Sequence, residues 1–349
     1  MKIPDFNIDE LVETLSELLQ IPSPTGHTRQ AIEFIRSRLV AAGLEPVTTR
    51  KGGLTVALRG QTDHRPRALT AHVDTLGAMV REVMDNGRLK LTQIGGYAWN
   101  TVEGEGCTVL TQDGKSIRGS LLLVKASGHI FGQEVGSTDR DEDTLEVRLD
   151  ARTDTAGETL ELGIQVGDFV AFDPRLELGQ AGFIRSRHLD DKAGVACLLA
   201  AVAALQDASL KPSGPTTLHF SNYEEVGHGA SAGFPVDLEE LVAVDMAVVG
   251  PGQASDEFHV TICLKDSGGP YHEVLSNRLR GLAAGAGIPT RVDTYPHYGS
   301  DGEAYWRSGA DVAVALIGPG VDASHNYERT HREALEATTR LILAYLLEP

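Results

Sequence analysis

Leu69-Thr70-Ala71-His72-Val73-Asp74 is an apolar run that closes on two polar residues, two positions apart. Side chains alternate along a strand, so residues i and i+2 share a face. The sequence therefore predicts a buried strand delivering His72 and Asp74 to one face at its end. A hydrogen-bonded strand end has this pattern, and so does a metal-binding imidazole oriented by a nearby carboxylate. Upstream, Asn7-Ile8-Asp9-Glu10 reads as a capping box ahead of Leu11, Leu15, Leu18 and Leu19 at helical spacing. Pro22 and Pro24 stop that helix in the loop Ser23-Pro24-Thr25-Gly26. A second helix carries Ile32, Ile35 and Leu39 to a stop near Gly43, and strands follow at Leu54–Leu58 and Ala68–Val73. Alternating helices and apolar strands predict an α/β sheet.

The character changes after about Gly77. To about Asp173 the chain reads as short strands punctuated by Gly95-Gly96, Asp113-Gly114, Gly119 and Gly167-Asp168, with little helical periodicity. Residues 78–173 are expected to form a small β-barrel or sandwich. Within them, Glu134–Glu161 holds ten acids against three basic residues, which reads as a solvated rim. Helices and strands then alternate again at Asp190–Leu205, Thr216–Phe220, Leu241–Val249, Glu273–Ala286 and Val312–Ile317. The expected architecture is a mixed-sheet α/β domain, 1–77 with 174–349, split by the inserted β domain.

At 349 residues the chain is long enough for two domains. Its formal charge of −18 argues against nucleic acid and anionic membranes, both of which select basic surfaces. Cys107, Cys197 and Cys263 are odd in number and far apart, so neither a disulfide framework nor a CxxC zinc site is expected. Met1-Lys2-Ile3-Pro4-Asp5 has no basic-then-apolar leader pattern, and no run approaches the ~18 apolar residues that span a bilayer. A cytoplasmic location is the expectation.

Four further segments place polar residues beside apolar runs. His188-Leu189-Asp190-Asp191-Lys192-Ala193-Gly194 opens a helix rich in small residues. Asp191 reads as its cap, and Asp190, just before it, is well placed to bridge two ions. Ala193 and Gly194 allow close backbone packing. Tyr223-Glu224-Glu225-Val226-Gly227 follows an apolar strand and reads as a tight loop, where one acid can ligate a metal while its neighbour takes a proton from water. Asp245 ends Val242-Ala243-Val244, apolar company in which a charge needs a partner. His325 lies in the loop before the last helix. His27, His64, His129, His228, His272, His297 and His331 lack such contexts and read as surface or loop residues.

In this order, the segments resemble the M42 family of metallo-aminopeptidases, from Ile21-Pro22-Ser23-Pro24-Thr25-Gly26 to Ser324-His325. The inserted region adds Gln93-Ile94-Gly95-Gly96 and Leu162-Gly163-Ile164-Gln165-Val166-Gly167-Asp168. The resemblance implies a phosphorylase/hydrolase-like α/β metallopeptidase domain, with residues 78–173 as a β-barrel or PDZ-like insertion serving assembly and pore lining. It implies two divalent cations, zinc or cobalt, held by His72, Asp190, Glu225, Asp245 and His325. Asp190 would bridge, Glu225 and His325 would complete one ion, and His72 and Asp245 the other. Glu224 would be the base, with Asp74 supporting the site from outside the ligand set. It also implies a peptide substrate and a homo-oligomer between dimer and dodecamer.

The chain departs from the family at Thr75-Leu76-Gly77, where Glu-Ile-Gly or Glu-Val-Gly is common. It departs again at Asn326, where serine is common, and Gly299-Ser300-Asp301-Gly302 stands close to the usual Gly-Thr-Asp-Ala. Tyr295-Pro296-His297-Tyr298-Gly299-Ser300-Asp301 resembles a branch linked to a bacterial osmoprotectant dipeptide. The expected chemistry is metal-assisted hydrolysis, with Glu224 taking a proton from water and passing it to the leaving amine, and with the substrate's free α-amino group bound at the second ion. Ala71-His72-Val73-Asp74-Thr75 also resembles the M20 deacylases and carboxypeptidases, whose insertion is α/β rather than β-rich. A non-catalytic peptide-binding assembly protein is the third reading.

Overall fold

The strand Arg67–His72 is buried at every position and lies inside the sheet of the larger of two units. The computed structural model describes residues 3–349. One unit comprises residues up to Asp74 together with Arg175–Pro349, and the other is Thr75–Pro174.

In the larger unit a 13-stranded mixed sheet has four adjacent parallel strands, in the order Thr216–Ser221, Arg67–His72, Glu240–Val244 and Ala313–Asp322. Leu54–Leu58 adds antiparallel at one side, and Glu328–His331, Phe183–Ser186 and Glu177–Leu178 extend the other. Period-two alternation sorts the parallel strands onto two faces. Leu69, Ala71, Leu218, Phe220, Val242, Val244, Ala315 and Ile317 pack with the helices Ile8–Leu19, Leu189–Asp207 and Arg332–Leu347. Ala68, Leu241, Ala243, Val314 and Leu316 pack on the opposite face, with Tyr271 and Tyr295. Parallel strands covered on both faces read as continuous apolar runs, as these do. Their carboxyl ends lie together, where ligands of α/β sheets bind.

The helix Leu189–Asp207 is buried nearly all round, which its small residues permit. A side chain at Gly194 would meet the Val244 carbonyl at 2.8 Å and the Asp191 carboxylate at 2.4 Å. At the amino end, Asn7 Oδ1 caps Ile8–Leu19 by accepting from the amides of Asp9 and Glu10.

The expected strand Leu241–Val249 is two strands. Glu240–Val244 pairs with the first half of Ala313–Asp322 and Ala247–Val249 with its last three residues, so the ladder breaks at Asp245-Met246. The break leaves the Asp245 main chain against Gly318, where a Cβ would stand 1.7 Å from the Asp245 carbonyl oxygen.

The unit Thr75–Pro174 holds a closed antiparallel barrel, ordered Gly77–Val83, Leu89–Ile94, Leu145–Leu149, Ser116–Leu123, Gly106–Leu110 and Phe169–Phe172. Val80, Leu91, Val109, Leu121, Val147 and Phe172 fill it. Its sequence showed little helical periodicity, yet it contains short helices at Gly128–Phe131, Glu134–Ser137 and Ala156–Glu161. They are too short to show a period, although Thr155 and Glu158 form a reciprocal capping box on the third. Glu134–Glu161 is likewise more than a solvated rim, because it contains the barrel strand Leu145–Leu149 with Glu146 buried and paired to Arg88. All three cysteines are buried and unpaired. Among the described residues no helix is long and apolar enough to cross a membrane.

Two glycine substitutions separate close packing from helix propensity. Gly318→Ala is expected to destabilise the protein by roughly 1–3 kcal/mol, because its methyl overlaps the Asp245 carbonyl. Gly281→Ala, in the helix Glu273–Ala286 with nothing within 4 Å of its Cβ, is expected to stabilise by about 0.5–1 kcal/mol. Urea unfolding of both variants checks the pair, and equal effects would contradict this packing.

Candidate metal centre

His72 ends its strand and Ser221 ends the neighbouring one, paired in register. Asp245 follows the third parallel strand, its amide donating to the Ile317 carbonyl at 2.9 Å. Asp190 lies at the start of the Leu189–Asp207 helix, where Asp190 and Asp191 have non-helical backbones. Asp191 Oδ1 accepts from the Gly194 amide at 3.1 Å, which is the cap expected of it, and Oδ2 accepts from the His72 amide at 3.3 Å. The helix start is thereby fastened to the strand end.

These elements bring two groups of three together, His72 with Asp190 and Asp245, and Asp190 with Glu225 and His325. In each group the potential ligand atoms lie within 4.8 Å of one another. Asp190 belongs to both. Its Oδ1 is 2.9 Å from His72 Nε2 and its Oδ2 is 3.4 Å from His325 Nε2. His325 Nε2 is also 3.6 Å from Glu225 Oε2, and His72 Nε2 is 3.7 Å from Glu224 Oε2. Six of the seven residues singled out in the sequence thus converge, and Asp74 stands immediately beside them.

Asp74 does something other than expected. His72 Nδ1 donates to the main-chain carbonyl of Asp74 at 2.9 Å, while the Asp74 carboxylate is 3.8 Å from that nitrogen. The strand ends at His72, so the two-residue period no longer aims Asp74 at the ring. Its carboxylate instead accepts from the amides of Glu224 at 3.2 Å and Glu225 at 3.3 Å, and from Thr25 Oγ1 at 2.7 Å. The loop holding Thr25 is itself secured by Ser23 Oγ donating to the Val73 carbonyl and by Lys192 Nζ donating to the carbonyls of Leu18 and Ile21. Burial pushes Lys192 down to about 7.

The electrostatics are those of negative charge gathered away from water. Burial first, and then neighbouring carboxylates, push Asp191, Glu224 and Glu225 well above the usual carboxylate range. Burial and Asp190 push Asp245 up to about 7. Asp190 itself is held low because hydrogen bonds to His325 and His72 outweigh its burial. Burial disfavours the charged imidazole of His72, yet Glu224, Asp190 and Asp245 together raise it well above its ordinary value. Asp245 Oδ1 is buried with no hydrogen-bond partner. Orphaned buried oxygen beside mutually repelling carboxylates fits a divalent cation, which would satisfy the oxygen and displace the protons. Left-handed backbone at Tyr223 and His325, with φ of 77° and 61°, concentrates strain in the same loops.

Sequence reading missed two residues here. Glu328 accepts from the amides of Asp190 and His325, both at 3.2 Å, and burial with Asp190 pushes it up to about 8. Asp301 lies under the Glu224 loop, accepting from the Ala230 amide at 2.6 Å. Neither ends an apolar run in a way that separates it from a surface acid. Of the seven histidines read as surface or loop, His331 is buried. It ends a strand and caps the last helix by accepting from the Glu333 amide.

Residues 52–341 match the profile of the M42 glutamyl aminopeptidase family. YhfE of Bacillus subtilis (strain 168), a protein provisionally named as an aminopeptidase, is 46% identical over 345 residues, covering 98% of this chain and 99% of YhfE. Glutamyl aminopeptidase of Lactococcus lactis subsp. cremoris (strain MG1363) is 26% identical over 222 residues, 62% of this chain and 61% of that one. The aminopeptidase APDkam598 from the archaeon Desulfurococcus kamchatkensis shares the fold with a TM-score of 0.88 at 22% identity, covering 98% of this chain and 96% of its own. The TET1 peptidase of Pyrococcus horikoshii does so at 0.85 and 22%, covering 97% and 100%. With a family profile over most of its length and a relative this similar from end to end, the chain belongs to the M42 peptidase family.

Proposed function

We propose that this protein is a metal-dependent aminopeptidase that removes N-terminal residues from peptides, with Glu224 as general base. The observation that carries the reading is the Asp190 carboxylate, whose two oxygens face two separate imidazole-and-carboxylate groups. His72, Asp190 and Asp245 would hold one divalent cation, and Asp190, Glu225 and His325 the other. Imidazole and carboxylate ligands suit zinc or cobalt. When bound, the cations would acidify a water and polarise the scissile carbonyl.

Glu224 then takes a proton from the attacking water and returns it to the departing amine. It is suited to both steps because burial raises its affinity for a proton while His72 stands 3.7 Å away. Asp74 holds the main chain of Glu224 and Glu225 so that one carboxylate serves the metal and its neighbour stays available. His72 presents Nε2 because Nδ1 is committed to the Asp74 carbonyl. The substrate's free α-amino group, as the neutral amine, would bind at the second cation, which a blocked N-terminus cannot do.

Assembly as a homo-oligomer, between dimer and dodecamer, belongs to the same proposal, with residues 78–173 serving assembly. The Pyrococcus horikoshii relative assembles into a tetrahedron or a large octahedral shell.

Matched peptides with free and acetylated N-termini, offered to the zinc- or cobalt-loaded protein, test the activity. Cleavage of the free-amine peptide alone is expected, with Glu224→Gln lowering the rate by roughly 10²–10⁴-fold. Cleavage of the acetylated peptide alone would overturn the aminopeptidase reading, and undiminished activity of Glu224→Gln would overturn the role of Glu224.

The sharing of Asp190 has its own consequence. Zinc added to chelator-treated protein is expected to stabilise it by about 2.7 kcal/mol per site at a hundredfold excess over Kd. In Asp190→Asn the stabilisation at both sites should be lost. Thermal unfolding with and without zinc checks this, and a wild-type shift in the variant would show that Asp190 is not shared.

A further inference from the structure

We propose that Asp301 is the positioning residue of the general base, acting as a clamp that closes both ends of the loop carrying Glu224. The inference rests on the assignment of Glu224 given above.

The segment carrying Glu224 leaves the sheet at Ser221 and folds back onto Asp301 at Ala230, before the chain rejoins the sheet at Glu240. Its outer side is organised by main-chain turns, with the Gly227 amide donating to the Glu224 carbonyl at 2.7 Å and the His228 amide donating to Tyr223 at 3.1 Å. Lys51 Nζ holds its return limb through the carbonyls of His228 and Gly229 and through Ser231 Oγ. Beneath its two ends lies the Asp301 carboxylate. Asp301 Oδ2 accepts from Ser221 Oγ at the departing end and from Thr70 Oγ1 at 3.5 Å, while Oδ1 accepts from the Ala230 amide at the returning end.

The fold makes the clamp possible in two places. Gly302 lets the helix Asp301–Arg307 lie against the sheet, since a Cβ there would stand 2.4 Å from Val314 Cγ1. Gly229 lets the loop close over the carboxylate, since a Cβ there would stand 2.3 Å from Asp301 Oδ1 and 2.9 Å from the Glu224 amide. Thr70 adds a link to the strand that presents His72, because the two residues share a face. Its hydroxyl is also hydrogen-bonded to His219 Nδ1 at 3.1 Å, and His219 is buried.

Asp74 and Asp301 therefore divide the work. Asp74 fixes the amides of Glu224 and Glu225 directly, and Asp301 fixes the distance between the loop's two ends. Asp301 is 3% exposed and belongs to neither of the two candidate ligand groups. Its loss should move the base without emptying the metal sites.

Steady-state kinetics and bound-zinc content of Asp301→Ala, Asp301→Asn and Gly229→Ala, beside the wild type, test the clamp. Displacing a catalytic group by about 1 Å can cost roughly 10²-fold in rate. Asp301→Ala is expected to lower kcat by about that factor with KM and zinc content unchanged. Asparagine can still accept from Ala230 and donate to Ser221, so Asp301→Asn should recover most of kcat. Should Asp301→Ala fail to fold, Gly229→Ala is expected to give the same selective loss of kcat by forcing the carboxylate and loop apart. The clamp is overturned if Asp301→Ala keeps wild-type kcat, if Asp301→Asn is as impaired as alanine, if bound zinc is lost, or if Gly229→Ala leaves kcat intact. Inactivity of the wild type on every peptide would instead strike at the aminopeptidase reading itself.

Discussion

Buried negative charge is the constraint on which the arrangement depends. Asp190, Asp191, Glu224, Glu225 and Asp245 are gathered where four parallel strands end, with two imidazoles among them. Carboxylates this close and this far from water repel one another, and isolated buried charge costs several kcal/mol. A chain gains nothing in stability from such a cluster. The rest of the fold resists the repulsion through the Asp191 bonds to Gly194 and His72, the Glu328 bonds to Asp190 and His325, and the Asp74 bonds to Glu224 and Glu225. Each of these is a main-chain amide held by a carboxylate, so the backbone is fixed while the facing oxygens stay available.

The sheet supplies the geometry in which this becomes chemistry. Parallel strands all present carboxyl ends on one side, so residues far apart in sequence meet without long connecting loops. Small residues then let the layers approach. Gly194 brings the Asp190 helix onto the Val244 carbonyl, and Gly318 accommodates the break that turns Asp245 out of its strand. Strain appears where the chain leaves the regular elements, at Tyr223 and His325, both in the left-handed region. Regular structure therefore carries the positioning, and the loops carry the groups whose placement is finest.

Much of this was legible in the sequence because the signal was local. His72 and Asp245 each close an apolar run, Asp190 and Asp191 open a helix of small residues, and the paired glutamates follow a buried strand. Each of those contexts can be read within a few residues. The opposite holds for Asp301, which meets Ser221 across 80 positions, and for Glu328, which meets Asp190 across 138. The phrase Gly299-Ser300-Asp301-Gly302 resembles a family motif without indicating a role for Asp301, and nothing near Glu328 distinguishes it from a surface acid. The Asp74 carboxylate points away from the His72 ring for a simpler reason, since the two-residue period holds only within the strand, which ends at His72. The break at Asp245-Met246 was invisible because Leu241–Val249 is apolar on both sides of it. In the barrel, helices of four to six residues fall below the length at which a period can show.

On the function proposed above, this cluster of acids would hold two cations that share Asp190. Anomalous diffraction at the zinc absorption edge, from crystals of the zinc-loaded protein, would locate them. Two anomalous peaks per chain are expected on either side of the Asp190 carboxylate, one beside His72 and Asp245 and the other beside Glu225 and His325. A single peak, or none within bonding distance of Asp190, would contradict that sharing.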